Sequence, residues 1–191
     1  MRPDLYTAGS DYHRKRRWTH EHSLRCLDMA FDVLGGLPVS LLDVGCAEGV
    51  HVLRALELGI ESQGIDLAAP EHPALTRADL CKPLDLGRRF DWVLCWEVAE
   101  HLPQAAAGTL CDTIARHVEP GGRVLFTAAR PGQKGPGHIN CQPAVYWDLH
   151  FMERGLTYAE APTEALRAAW LECSPKTPWY GRNVSVYWRS A

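Results

Sequence analysis

The run LLDVGCAEG (residues 41–49) places an acid, Asp43, at the end of an apolar stretch and small residues, Gly45, Ala47 and Gly49, at alternate positions after it. Small residues at a strand-to-helix turn let a ligand lie against the backbone, and the helix start behind them offers unbonded N–H groups to polar ligand atoms. Such a turn is a nucleotide-binding signature, moderately specific by itself. Its order, D-x-G-x-A-x-G, differs from the G-x-G-x-x-G of dinucleotide binders because the third small residue arrives one position early. A second acid, Asp66, closes another apolar stretch twenty-one residues after Gly45. Ribose hydroxyls commonly find their acceptor at that place, and an ionised carboxylate suits the task because it only accepts.

Two further groups could do chemistry. Glu97, Glu100 and His101 form an E-x-x-E-H cluster. A zinc site on a helix needs ligands at i and i+4 plus others, and Glu97 with His101 meets only that first spacing, so the expectation is no metal. Glu100 and His101 then stabilise a helix start or line a ligand's edge, and His101 could orient a reaction partner. The second group lies in ARPGQKGPGHIN (residues 129–140), a glycine- and proline-rich loop carrying His138 and Asn140. A neutral histidine takes protons near pH 7, which makes His138 a candidate base. Tyr146 and Trp147, just beyond, serve equally as an aromatic wall or as ordinary packing.

The elements that must position these residues follow from periodicity. Leu24, Leu27, Phe31 and Leu34 give a helical face closed by Gly35-Gly36. Strands and helices then alternate: strand 40–44, helix 48–58, strand 61–66, a weak strand 75–78, strand 90–95, helix 104–118, turn 119–122 and strand 123–128. Short apolar strands separated by helices indicate a parallel sheet covered on both faces, hence an α/β, doubly wound class. Val145, Leu149 and Met152 form an apolar helical face ended by Gly155, residues 156–160 read as a strand, and Thr163 caps a helix carrying Leu166, Ala169 and Trp170. A last strand at 183–188 adds an antiparallel edge, for seven strands in all.

At these residues the chain resembles the class I, Rossmann-like S-adenosylmethionine-dependent methyltransferases over residues 41–188. The resemblance implies S-adenosyl-L-methionine as cofactor and S-adenosyl-L-homocysteine as product. It implies that the turn of Asp43, Gly45, Ala47 and Gly49 passes under the methionine part, that Asp66 with Leu67 holds the ribose, and that Asp79 with Leu80 meets the adenine. FDWVLCWEVAEHL (residues 90–102) is similar to the family's fourth-strand motif, with Trp96 and Glu97 lining the pocket, and VEPGGRVLFTA (residues 118–128) to the turn into its fifth strand. Ala47 stands where the family usually has glycine. The D/N-P-P-Y motif of enzymes that methylate exocyclic amino groups of bases is absent; the segment reads CWEV. Because a sulfonium methyl is already an activated electrophile, such an enzyme chiefly places an O, N or C nucleophile in line and excludes water.

Composition bounds the rest. With 191 residues, 46% of them apolar, the chain is expected to be one domain over 1–191: a basic segment and helix (1–38), a cofactor-binding half (39–128) and a substrate-side half (129–191). No apolar run is long enough for a membrane span or secretory signal, so the expectation is a cytoplasmic protein without a membrane partner. Seven scattered cysteines without C-x-x-C spacing read as reduced thiols. A net charge of −3 gives no general pull on nucleic acid. The basic residues 14–17, flanked by His13, His20 and His22, form either a solvated face or a segment folding over an anionic ligand. A small-molecule acceptor is therefore expected. The alternatives are RNA or protein as acceptor, a non-catalytic S-adenosylmethionine-binding partner, or an NAD(P)-dependent oxidoreductase, which the missing Tyr-x-x-x-Lys pair disfavours. No motif sets the oligomeric state.

Overall fold

The computed structural model describes residues 17–191; residues 13–16 of the basic segment lie outside the described residues. Helix α1 (Arg17–Val33) buries Leu27, Ala30 and Phe31 and stops where the Gly36 N–H donates to the Phe31 carbonyl at 2.7 Å. Gly35 and Gly36 both have positive φ, the backbone that glycine adopts without a Cβ penalty.

Seven strands form one sheet: β1 (Ser40–Val44), β2 (Glu61–Asp66), β3 (Leu75–Arg77), β4 (Phe90–Trp96), β5 (Val118–Thr127), β6 (Leu156–Tyr158) and β7 (Ser185–Arg189). Their order is β3-β2-β1-β4-β5-β7-β6. The first five run parallel, and β7 is antiparallel to both β5 and β6. The chain runs outward from β1 to β3 and then crosses to β4 on the other side of β1. This reversal opens a crevice at the carboxyl ends of β1 and β4, where ligands of open α/β sheets bind.

Alternation along the central strands divides the core into two layers. Val93, Cys95, Val124 and Phe126 face α3 (Ala107–His117) and α4 (Ala144–Met152). Trp92, Leu94, Trp96 and Leu125 face α1, Ala55 of α2 (Val50–Glu57), and α5 (Glu160–Cys173). The period of two follows from the pleat. Trp170 of α5 donates its indole N–H to the Cys26 carbonyl of α1 at 2.8 Å, tying the two helices inside the second layer.

Four expectations are corrected. On α4, Val145, Leu149 and Met152 are exposed, while Trp147 and Phe151 turn inward. Both rows recur at helical spacing, and the aromatic row buries more apolar area, so it takes the core side. Thr163 is not a cap. The helix starts at Glu160, three residues earlier, and the buried Thr163 hydroxyl accepts the Val186 N–H at 3.0 Å. Residues 119–122 are not a separate turn, since β5 runs from Val118 with a register shift opposite Phe90 and Trp92. Finally, the last strand starts at Ser185 and not at residue 183, because Asn183 ends a short helix, α6 (Pro178–Asn183), with Pro178 in its first turn.

Candidate functional site

A cavity occupies the crevice at the carboxyl ends of β1, β2 and β4. Nine of the ten residues expected at a cofactor line it: Asp43, Gly45, Ala47, Asp66, Leu67, Asp79, Leu80, Trp96 and Glu97. Gly49 does not. It starts α2 at φ 80°, and a Cβ there would stand 2.7 Å from Leu75 Cδ1. Gly45, at φ 91°, would carry a Cβ 2.2 Å from Val98 Cγ2. Each glycine is thus demanded by its own backbone and by a side chain already in the space.

Asp66 holds the turn in shape. Its Oδ2 accepts the Ala47 N–H at 3.0 Å and its Oδ1 the Ala68 N–H at 2.7 Å. A carboxylate oxygen takes more than one hydrogen bond, so these two bonds are compatible with a ligand hydroxyl on the same group. Ala47 is held at φ 48°, a left-handed conformation that costs an L-residue about 1–2 kcal/mol. Asp79 accepts the Cys81 N–H at 3.0 Å, beginning a turn, while lining the cavity. Asp43 is buried and bonds His51 Nδ1 at 3.0 Å. His51 lines the same cavity, and its buried Nε2 has no hydrogen-bond partner among the described residues. The acceptor at Asp66 suits a ribose, and the orphaned ring nitrogen beside Asp43 suits a polar head group. These residues fit a bound nucleoside such as S-adenosylmethionine.

At the end of β4, Trp96 is 7% exposed. It donates its indole N–H to the Leu125 carbonyl at 3.0 Å and meets the rings of His51 and Trp170, each at 4.8 Å. It is core and cavity wall together. Glu97 follows at φ 55°. Its N–H is shared between the carbonyl and hydroxyl oxygens of Thr127, at 3.0 and 2.9 Å, and its Oε1 accepts the Asn183 amide at 3.1 Å. Left-handed backbone at a non-glycine persists where surrounding bonds over-determine it, and here β5 and α6 both do so.

A second cavity, about 300 Å³, opens beside the first and shares with it Thr19, Glu97, His101 and Tyr180. Glu100, His138, Lys134, Trp179 and Arg182 add to its walls. The loop of residues 128–143 is fixed to the turn at Ala99–His101 because the Glu100 carbonyl accepts the N–H groups of Ile139 and Asn140, at 2.9 and 3.0 Å. This brings His138 to His101, ring centroids 5.0 Å apart. Glu100 is fully buried. Burial first, and then the neighbouring Glu97 carboxylate, push its carboxyl well above the usual range.

The other acceptor-side candidates stand elsewhere. Asn140 is buried behind the loop, donating to the Ala99 carbonyl at 3.4 Å and accepting from Gln142 at 2.9 Å. Trp147 packs on Phe126, centroids 5.2 Å apart, with Tyr146 edge-on against it. None of these three lines either cavity.

Residues 10–165 match the family model described as a methyltransferase domain. The chain belongs to this methyltransferase family. The family assignment carries the cofactor with it: S-adenosylmethionine is the methyl donor of the class I fold. The chain is 31% identical over 133 residues to a ubiquinone biosynthesis O-methyltransferase of Aeromonas salmonicida, a stretch covering 56% of this chain and 51% of that one. A counterpart of the same name from Alkalilimnicola ehrlichii is 30% identical over 123 residues, 56% of this chain and 49% of the relative. The chain spans about half the length of the curated relatives it matches.

Among solved structures, the chain superposes on the sugar N-methyltransferase KedS8 of a Streptoalloteichus species with a TM-score of 0.65, at 17% identity over 95% of this chain and 92% of that one. The 1,6-didemethyltoxoflavin-N1-methyltransferase of Burkholderia thailandensis gives 0.64, at 19% identity over 94% and 84%. The [4+2]-cyclase SpnF gives 0.57, at 14% identity over 87% and 81%. These likenesses show the fold.

Sequence reasoning missed several wall residues. His51 interrupts the apolar face of α2, and a polar residue there was a signal. Trp179, Tyr180 and Arg182 lie on α6, whose start was marked by Thr177-Pro178. Thr19, His20 and Ser23 of α1 also line the first cavity, which places the beginning of that helix over it.

Proposed function

We propose that this chain transfers the methyl group of S-adenosylmethionine to a hydroxyl oxygen of a small molecule, in the cytoplasm. The observation that carries the proposal is the meeting of two cavities at Glu97, His101 and Tyr180. One is lined by the residues expected to bind the nucleoside and the other by a histidine pair. An oxygen acceptor must lose a proton as it attacks, and His138 is the candidate base facing the acceptor side. The oxygen lone pair forms the new bond to the methyl carbon, the carbon–sulfur bond breaks with its electrons on sulfur, and the hydroxyl proton passes to the His138 imidazole. Positioning supplies most of the rate because the sulfonium needs no activation.

The cavity's chemistry narrows the acceptor. Trp179 and Tyr180 offer aromatic faces, and Lys134 and Arg182, both exposed, offer positive charge. Together they suit a hydroxylated aromatic compound with an anionic substituent. The matched curated relatives are O-methyltransferases, which agrees with oxygen as the nucleophile.

The test begins with calorimetric titration using S-adenosylmethionine and S-adenosylhomocysteine, with NAD and NADP as controls. A panel of hydroxybenzoates and sugar acids is then screened by mass spectrometry for gain of one methyl group. Selective binding of the sulfur ligands with methyl transfer to an aromatic hydroxyl is the expected result. Preference for a nicotinamide overturns the reading, and tight cofactor binding without transfer to any acceptor turns it into a non-catalytic binding role.

A further inference from the structure

Resting on the methyl transfer proposed for this chain, we infer that the ring of Tyr180 holds the sulfonium of S-adenosylmethionine and so tells the charged methyl donor from the neutral product. For transfer to occur, the methyl group must point out of the cofactor cavity into the acceptor cavity, and the charged sulfur then belongs where the two meet. Four of the described residues line both cavities: Thr19, Glu97, His101 and Tyr180. Tyr180 is the one that brings a phenol ring.

Local sequence explains why this ring stays in place. In Thr177-Pro178-Trp179-Tyr180-Gly181 the proline opens α6 and the glycine is buried against α5. A Cβ on Gly181 would stand 2.8 Å from Leu171 Cγ and 3.1 Å from the Arg167 carbonyl oxygen, so the backbone of α6 lies directly on α5. The Tyr180 N–H donates to the Thr177 carbonyl at 3.2 Å, and the Tyr180 carbonyl accepts the Val184 N–H at 3.0 Å. Thr177 is itself buried, its hydroxyl 2.6 Å from that of Ser174. A side chain carried on so tightly seated a helix is placed before any ligand arrives.

The surroundings of the ring are aromatic. Its centroid lies 6.3 Å from Trp96, 6.4 Å from Trp170 and 5.9 Å from Trp179. Trp96 and Trp170 are buried core residues and Trp179 lines the acceptor cavity alone, whereas Tyr180 is half-buried and reaches both spaces. The face of an aromatic ring is negative and attracts a cation, more strongly where neighbouring rings exclude water. A sulfonium, like a quaternary ammonium, spreads its charge over carbon-bound hydrogens and has no N–H to donate, so a ring suits it better than a hydrogen-bond acceptor. Glu97 adds negative charge at the same junction, but its Oε1 already accepts the Asn183 amide at 3.1 Å.

The consequence lies in product exchange. When the methyl carbon bonds to the acceptor oxygen, the carbon–sulfur bonding pair stays on sulfur and the positive charge is gone. Tyr180 then has a neutral thioether before it and holds S-adenosylhomocysteine less firmly than the donor. A merely apolar wall would hold both alike.

The experiment uses the full chain and reads binding of S-adenosylmethionine and S-adenosylhomocysteine by calorimetry at one pH and ionic strength. The parent is compared with Tyr180→Phe, with Tyr180→Leu, and with chains carrying mono-, di- or trifluorinated phenylalanine in place of Tyr180. Ring fluorines withdraw charge from the face and nearly preserve its shape, so this series decides the matter even where leucine prevents folding. The ratio of the two dissociation constants should shift toward the product by about 3- to 30-fold in Tyr180→Leu, and stepwise along the fluorinated series. It should stay within about twofold of the parent in Tyr180→Phe, and S-adenosylhomocysteine affinity should hold within about threefold throughout. Equal weakening of both ligands, or a ratio that is flat along the series, overturns the role of Tyr180. A stepwise ratio in a chain that methylates no acceptor supports Tyr180 and overturns the transfer reading, while a flat ratio with methyl transfer intact does the reverse. A parent chain that binds neither sulfur ligand overturns both.

Discussion

Asp66→Asn separates the turn-shaping bonds of this side chain from the ribose binding proposed for it. The aspartate accepts the Ala47 N–H at 3.0 Å and the Ala68 N–H at 2.7 Å, one on each oxygen. Asparagine keeps a single oxygen, so one backbone N–H meets an amide N–H instead, and the surviving bond loses its charge. A hydrogen bond to a charged group contributes about 1.5–3 kcal/mol. Losing one and weakening the other should lower folding stability by about 2–3 kcal/mol, or about 5–10 °C in Tm for a chain of this length. The ribose hydroxyls lose the same charged acceptor, so S-adenosylhomocysteine affinity should fall by a further factor of about 10–150. Urea unfolding gives the first quantity and calorimetry at a temperature where both proteins are folded gives the second. A variant within about 0.5 kcal/mol of the parent and within twofold in affinity would refute both roles. Lost stability with unchanged affinity would confine Asp66 to shaping the turn.

Other outcomes follow from the same geometry. Gly45→Ala puts a Cβ 2.2 Å from Val98 Cγ2 at φ 91° and should destabilise by about 3 kcal/mol or more in urea unfolding. Adding Val98→Ala should recover only the steric part, leaving the backbone strain as the residue of a double-mutant cycle. Ala47→Gly relieves a left-handed alanine at φ 48° and should raise stability by about 0.5–1 kcal/mol, with the cavity retained and cofactor affinity within a few-fold. In a timed thiol-labelling experiment at pH 8, the half-buried Cys81, Cys141 and Cys173 should react first. Cys26, Cys46, Cys95 and Cys111 should stay protected until unfolding, since burial raises each thiol and holds Cys111 at about 12.

The parallel half of the sheet was legible because each strand is a short apolar run and each turn after it carries small residues. The lining of the first cavity was legible for the same reason: Asp43, Gly45, Ala47 and Asp66 sit at strand ends, where local sequence order already fixes their place in space. Residues 144–152 were harder. Val145-Leu149-Met152 and Trp147-Phe151 are two apolar rows on one helix, and periodicity alone does not say which row meets the sheet. The acceptor side was hardest. Its walls come from residues 97–101, 133–138 and 178–182, three segments joined by the Gln133–Asn183 amide pair and by the backbone bonds between Glu100 and residues 139–140. No local pattern encodes that meeting, so His138 could be picked out by residue type, whereas its neighbours could not.

The order of the sheet has a consequence for how the chain is made. β7 is the sole strand between β5 and β6, so until residues 185–189 emerge from the ribosome, β6 has no strand to pair with and the outer edge of β5 stands open. β3, β2, β1, β4 and β5 can by then already be zipped in parallel. Until β7 is in place the crevice between β1 and β4 can form while the edge of β5 stays bare, the kind of surface that pairs with other chains. Strand insertion by β7 closes that edge and, through Asn183 two residues before it, delivers the amide that holds Glu97. Closing the sheet and completing the site are one event in the life of the chain.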